Sequence, residues 1–110
     1  MIGIILVHNH YSKEHLTEVM EEMKTLGTPT IKAVYLPEYD AYVALEGCHR
    51  IRAAKALELV PEIIEFDYDE VCNLSLKDPM LGLDLDNDET VEWLIDGCTR
   101  RTVITFEEEN

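Results

Sequence analysis

The apolar positions of this chain change period several times, and each period predicts a different element. Residues 2–7 are continuously apolar and mostly β-branched or leucine, which is typical of a strand covered on both faces of a sheet. Apolar residues at helical spacing follow, at Leu16, Val19, Met20 and Met23. Ser12 can cap this helix and Gly27 can end it. The pattern predicts a strand and then a helix over about 13–26.

A hairpin and a second helix are predicted next. Residues 30–36 and 42–45 have strand character and flank the turn Pro37-Glu38-Tyr39-Asp40. Gly47 follows the second strand, and small and aliphatic residues then suit a helix packed closely on a sheet over about 49–59. The predicted order is strand, glycine turn, helix.

Beyond Pro61 the pattern weakens. Residues 63–66 indicate another strand, whereas 67–87 mix turn residues with short apolar pieces and predict a loop with one short helix. Asp86 and Glu89 have the spacing of a capping box for a helix at about 87–96. Residues 102–106 predict a last strand. The predicted helices and strands together are those of an α/β domain of the α+β kind.

Length and charge narrow the classes of function. A chain of 110 residues suits one domain, and its net charge of −14 would repel a nucleic-acid backbone, so DNA is not an expected partner. No apolar run approaches the roughly 20 residues that span a bilayer, and the first residues lack the basic start of a signal peptide. We therefore expect a cytoplasmic protein with no membrane partner. The three cysteines form no Cys-x-x-Cys pair, so we expect neither a disulfide framework nor a zinc site, and we assign no residue as a metal ligand of the protein itself.

One basic cluster departs from the acidic composition. Arg50, Arg52 and Lys55 place three of the nine basic residues within six positions. A glycine between a strand and a helix lets the backbone approach a ligand, and the helix start offers N–H groups with partial positive charge. His49 and Arg50 would add donors. Gly47-Cys48-His49-Arg50 therefore predicts a phosphate-binding loop; a tight turn with solvated basic residues is the alternative.

The neighbouring residues suggest further chemistry. Cys48 is a candidate nucleophile, because a helix N-terminus stabilises a thiolate, or it is a small residue that fills a tight corner. Glu46 is a candidate general base or magnesium ligand, or a strand-end carboxylate that faces solvent. His10, at the junction between the first strand and first helix, is expected to line the nucleotide pocket together with the nearby His8 and His15.

Residues 42–64 resemble the ParB/sulfiredoxin superfamily. Their outer parts are similar to the ParB partition domain, in which a glycine-led basic box precedes an Arg-Ala-Ala-Lys helix, a Val-Pro pair and a strand. Their centre is similar to the Gly-Cys-His-Arg signature of sulfiredoxin. The order of the preceding elements extends the resemblance to about residues 1–67, and 68–110 are unmatched. The resemblance implies a single small domain over residues 1–110, with a mixed sheet packed by helices.

The resemblance also implies a nucleotide-dependent activity. Gly47, His49 and Arg50 would contact the phosphates of ATP or ADP, Lys13 would match a nucleotide-contacting lysine of the first helix, and Mg²⁺ would bridge the phosphates. In a sulfiredoxin-like reaction ATP would phosphorylate a cysteine sulfinic acid on a partner, and Cys48 would then attack the activated sulfur. In a small-molecule kinase the same phosphate site would serve without Cys48.

Functions of other classes stay open. The fold could serve as a non-enzymatic nucleotide sensor or protein-interaction module, with its acidic face meeting a basic partner. A ParB-like nuclease is a weaker alternative, because the charge of −14 disfavours DNA. The nucleotide base, the small-molecule or protein acceptor, and homo-oligomer formation are not determined by the sequence.

Overall fold

The computed structural model describes residues 2–6, 11–83, 88–97 and 102–107. These residues form, in chain order, β1 (Ile2–Ile5), α1 (Lys13–Leu26), β2 (Thr30–Leu36), β3 (Ala41–Ala44), α2 (Cys48–Ala56), β4 (Glu62–Phe66), α3 (Tyr68–Val71), α4 (Val91–Asp96) and β5 (Val103–Phe106). Among these described helices, none has the length and apolar character that a bilayer crossing requires.

The strands form one mixed sheet in the order β4-β2-β3-β1-β5. β1 lies parallel to β3 and β2 lies parallel to β4, whereas the β2–β3 and β1–β5 pairs are antiparallel. The predicted α+β class and the predicted hairpin are therefore confirmed. Since β1 and β3 are parallel neighbours, their carboxyl ends lie at the same edge of the sheet. We call this edge, from which the chain proceeds into α1 and α2, the helix-start edge.

Apolar clusters cover both faces of the sheet. Ile4 and Ile31 pack with Met23 of α1 and Ile51 of α2 on one face. Ile5, Val34 and Val43 pack on the other face, against the C-terminal residues Val71, Leu76, Leu81, Val91, Leu94 and Ile95. The neighbours Ile4 and Ile5 lie in opposite clusters because side chains alternate along a strand. The residues beyond 67 thus supply the second layer of the core.

The limits of α1 agree with the local signals of the sequence. The Ser12 hydroxyl accepts a hydrogen bond from the N–H of His15 at 3.3 Å, which caps the helix start. At the other end Gly27, with φ of 83°, donates its N–H to the carbonyl of Met23. The helix spans Lys13–Leu26, as predicted.

The predicted start of α4 is wrong. Thr90, rather than Asp86, caps the helix by accepting a hydrogen bond from the N–H of Trp93 at 3.2 Å. The chain before it is held extended, because Leu76 donates its N–H to the carbonyl of Glu89 at 2.9 Å and Ser75 bridges Thr90. The helix therefore begins at Val91; Asp86 itself lies outside the described residues.

Candidate functional site

The turn between β3 and α2 has the predicted form of a strand, a glycine and a helix. Gly47 adopts the left-handed conformation, with φ of 85° and ψ of 30°, and is the N-cap of α2. No side chain of the described residues caps this helix start, and its first internal hydrogen bond runs from the N–H of Ile51 to the carbonyl of Gly47 at 2.9 Å. The first turn of α2 therefore presents the partial positive charge of a helix N-terminus at the helix-start edge.

His49 joins the beginnings of the two long helices. Its Nε2 accepts a hydrogen bond from the backbone N–H of Ser12 at 3.1 Å. Its ring also meets the His15 ring edge-on, with 4.4 Å between centroids. Because Nε2 is an acceptor, the neutral ring carries its proton on Nδ1. This contact places the N-cap of α1 against the first turn of α2, so two helix N-termini converge.

Arg50 is held in contacts within the chain. One terminal nitrogen donates to the Glu46 carboxylate at 3.0 Å, and the other donates to the carbonyl of Thr30 at 2.9 Å. A Cβ at Gly47 would lie only 3.0 Å from the first of these nitrogens. Arg50 thus ties the glycine turn to the start of β2. For a direct contact with phosphate, it would have to exchange at least one of these partners.

The two residues that the sequence offers as catalytic are both engaged. Cys48 is 4% exposed and belongs to the apolar cluster beneath α1 and α2, a position that suits a small residue filling a corner. Glu46 forms the ion pair with Arg50. In this arrangement the thiol is covered, and one oxygen of the Glu46 carboxylate is paired with Arg50.

The remaining predicted residues surround the start of α1. Lys13 is the first residue of α1 and is exposed, next to the Ser12 N–H that contacts His49. His10 and its neighbour His8 lie outside the described residues. Over the part of the chain that the structure describes, no three histidine, cysteine or acidic side chains are placed to hold a metal.

Arg52, a member of the basic cluster for which the sequence predicted no role of its own, also lies at the start of α1. Its guanidinium lies 4.4 Å from the centre of the Tyr11 ring, just before the N-cap of α1. Its Nε is buried and has no hydrogen-bond partner within the described chain. The position of Arg52 in the basic cluster was the available signal, but its pairing with Tyr11 depends on how α1 and α2 meet. Arg52 and Lys13 both bring positive charge to the start of α1.

Comparison with known proteins gave no match to this chain among family models, curated proteins or solved structures.

Proposed function

We propose that this chain binds the phosphate groups of a nucleotide, ATP or ADP with Mg²⁺, at the helix-start edge. The observation that supports this most directly is the hydrogen bond from Ser12 to His49, because it brings the start of α1 against the first turn of α2. Each helix start carries a partial positive charge, and anions bind at such positions. The net charge of the chain is −14, so the partial positive charge of the two helix starts is opposite in sign to the charge of the chain as a whole.

Lys13 and Arg52 are the side chains that would supply full positive charge to the phosphates. Lys13 is exposed at the first position of α1, and Arg52 lies beside the same helix start through its contact with Tyr11. Gly47 supplies the left-handed turn, with φ of 85°, that leads from β3 into the first turn of α2. Mg²⁺, bound to the phosphates, would neutralise part of their charge.

Phosphoryl transfer to a small-molecule or protein acceptor is the reaction that these contacts favour. Attack by Cys48, as in a sulfiredoxin-like reaction, would require its 4%-exposed thiol to leave an apolar cluster. Transfer to another acceptor does not require that movement. The resemblance of residues 42–64 to the ParB/sulfiredoxin superfamily supports both reactions equally, and the burial of Cys48 favours transfer to another acceptor.

A second candidate function is nucleotide sensing without turnover. The observation in its favour is the ion pair between Glu46 and Arg50, which occupies the carboxylate next to the glycine turn. A general base must be within reach of the proton that it removes and able to accept it. If the pairing with Arg50 keeps Glu46 from accepting a substrate proton, the site would report nucleotide rather than consume it.

The binding proposal is tested by calorimetric titration of ATP and ADP, with and without Mg²⁺, into the full chain. Replacing Lys13 by Gln should weaken binding about five- to tenfold, because one charge-assisted contact to phosphate is lost. Lys24→Gln is the matched control, since Lys24 is also exposed on α1 and lies roughly 16 Å along the helix from Lys13. Equal loss in both variants, or no binding of either nucleotide at millimolar concentration, would show the proposal to be wrong.

Measurement of ATP turnover distinguishes phosphoryl transfer, the sulfiredoxin-like reaction and nucleotide sensing. In Cys48→Ala, sustained release of ADP from ATP should persist if the acceptor is another molecule. If Cys48 is the nucleophile, the variant could still phosphorylate the sulfinic acid of the partner, but reduction of that sulfinic acid, followed by mass spectrometry of the partner, should stop. Binding of ATP without ADP release in the presence of candidate acceptors would support the sensing function instead. Folding of the variant is checked by circular dichroism, so that a loss of turnover is not a loss of structure.

A further inference from the structure

A cleft lies at the edge of the sheet opposite to the helix-start edge. Its volume is about 570 Å³, within the range of roughly 300–1,000 Å³ that small-molecule sites occupy. β2 begins at Thr30, beside Arg50, and ends at Leu36, which lines the cleft. A strand of this length separates the cleft from the helix-start edge by roughly 20 Å. The proposed nucleotide site therefore makes no use of it.

Four aromatic residues line this cleft. Tyr35 and Tyr39 come from the β2–β3 hairpin, and Phe66 and Tyr68 come from the junction between β4 and α3. Tyr39 is 49% exposed although it is a large aromatic residue. The faces of such rings attract organic cations, and they also pack against methylene groups.

The charged groups of the cleft all have one sign. Its carboxylates are those of Glu38, Glu65, Asp67, Asp69 and Asp96, and none of the described residues that line it is basic. None of these five forms a salt bridge with another described residue. Burial, and then the nearby Glu92 carboxylate, raises the pKa of the Tyr68 phenol, with Asp96 and Asp69 adding to the effect. Asp67 accepts a hydrogen bond from the N–H of Asp69 as the N-cap of α3, but no described basic side chain forms a salt bridge with any of the five carboxylates.

The arrangement of the carboxylates distinguishes between a metal ion and an organic cation as the ligand of this cleft. A divalent metal ion would need several ligands that converge on one point, and the described residues contain no such group. Carboxylates spaced around a cleft instead match a cation whose charges are separated along its length. We propose that the cleft binds a linear aliphatic polyamine, with its ammonium groups at the carboxylates and its methylene segments on the tyrosine rings. This inference does not depend on nucleotide binding.

The test is calorimetric titration of spermidine, a linear triamine, into the full chain at about 0.15 M salt, where long-range attraction is screened. We expect saturable binding to one site. Glu38→Gln with Glu65→Gln should weaken it about tenfold, since two exposed charge contacts are lost. Glu18→Gln with Glu21→Gln is the matched control on α1: it makes the same change in net charge and should alter the affinity less than about twofold.

Tyr39 tests the aromatic contribution separately. Tyr39→Leu should weaken spermidine binding several-fold because the ring face is lost, whereas Tyr39→Phe should keep most of the affinity. In an ¹⁵N-labelled sample, spermidine should shift the amide resonances of residues 36, 38 and 39 and of 66–69, which line the cleft. Equal weakening by the two double charge variants, or absence of saturable binding, would overturn the proposal and leave only general attraction to an acidic protein.

Discussion

The backbone N–H of Ser12 donates a hydrogen bond to Nε2 of His49, a residue 37 positions later in the chain. The Ser12 side chain meanwhile accepts from the N–H of His15, so one residue both caps α1 and joins it to α2. His49 therefore has a structural role in the same place where the sequence predicts a phosphate donor. Substitutions at His49 will report on both roles, and their effects on folding need to be measured first.

His49→Ala should loosen the start of α1. The variant removes the acceptor of the Ser12 N–H, and loss of one such hydrogen bond lowers the free energy of unfolding by about 1 kcal/mol. Hydrogen exchange should become faster at the amide of Ser12 and at the first turn of α1. His15→Ala is the control, because it removes the ring contact with His49 but leaves the acceptor in place. Unchanged exchange at Ser12 in His49→Ala would contradict the assigned contact.

Helix limits could be predicted from sequence where the signals are local. Ser12 and Gly27 define α1 by contacts within one turn of its ends, and both limits could be predicted from the sequence. The start of α4 could not be predicted, since Asp86-x-x-Glu89 and Thr90 are both plausible caps when only the local sequence is considered. The choice is made by the pairing of Glu89 and Thr90 with residues 75–76, which is a tertiary contact.

The contacts of the candidate site also depend on tertiary structure that the local sequence does not reveal. Glu46 and Arg50 are four positions apart, but Glu46 precedes Gly47, the N-cap of α2, so their ion pair depends on the geometry of the turn. The second partner of Arg50, the Thr30 carbonyl, could not be inferred because it requires β2 to lie beside β3 in the sheet. Likewise, the opposite cleft combines residues of the β2–β3 hairpin, β4, α3 and α4, which only the strand order brings together.

Arg50→Ala should destabilise the fold independently of any ligand. It loses the ion pair with Glu46 and the hydrogen bond to Thr30, and we expect the free energy of unfolding to fall by about 1–2 kcal/mol. The side chains of Arg50 and Glu46 are 38% and 26% exposed, so a double-mutant cycle with Glu46→Gln should give a coupling of only about 0.5–1 kcal/mol. A coupling near zero in urea denaturation would mean that the pair contributes nothing to stability.

Gly47→Ala should lower the free energy of unfolding more than a glycine-to-alanine change within a strand. Its φ of 85° is strained for an L-residue, and the added Cβ would lie 3.0 Å from Arg50 and 3.2 Å from Ile31. We expect a loss of about 1–3 kcal/mol in thermal or urea unfolding. Gly3→Ala is the control: its Cβ would meet neighbours at an ordinary 3.6 Å, and it should change stability by less than about 1 kcal/mol. Similar losses in the two variants would show that the turn does not constrain Gly47.

Cys48 should react slowly with thiol reagents in the folded protein. Its thiol is 4% exposed within the apolar cluster, so labelling requires the structure to open. Cys72 is only partly buried and serves as the internal reference. Peptide mapping after a short exposure to iodoacetamide should show Cys72 labelled ahead of Cys48, and denaturation should remove the difference. Rapid native labelling of Cys48 would contradict the burial and would favour the sulfiredoxin-like reaction.

Tyr35 should make stability depend on pH in the alkaline range. Its hydroxyl donates to the Asp40 carboxylate, and this bond, followed by burial, raises the pKa of Tyr35. The unfolded chain releases this proton near pH 10, so the stabilisation is complete below that pH and is lost as the pH rises through the raised folded-state pKa. Above about pH 10, the wild type should therefore lose stability more steeply than Tyr35→Phe. Asp40→Asn should flatten the same limb, because it removes the carboxylate that raises the Tyr35 pKa. Asn is the suitable replacement since it tolerates the left-handed backbone of position 40, with φ of 48°. Parallel alkaline curves for the wild type and both variants would exclude this linkage.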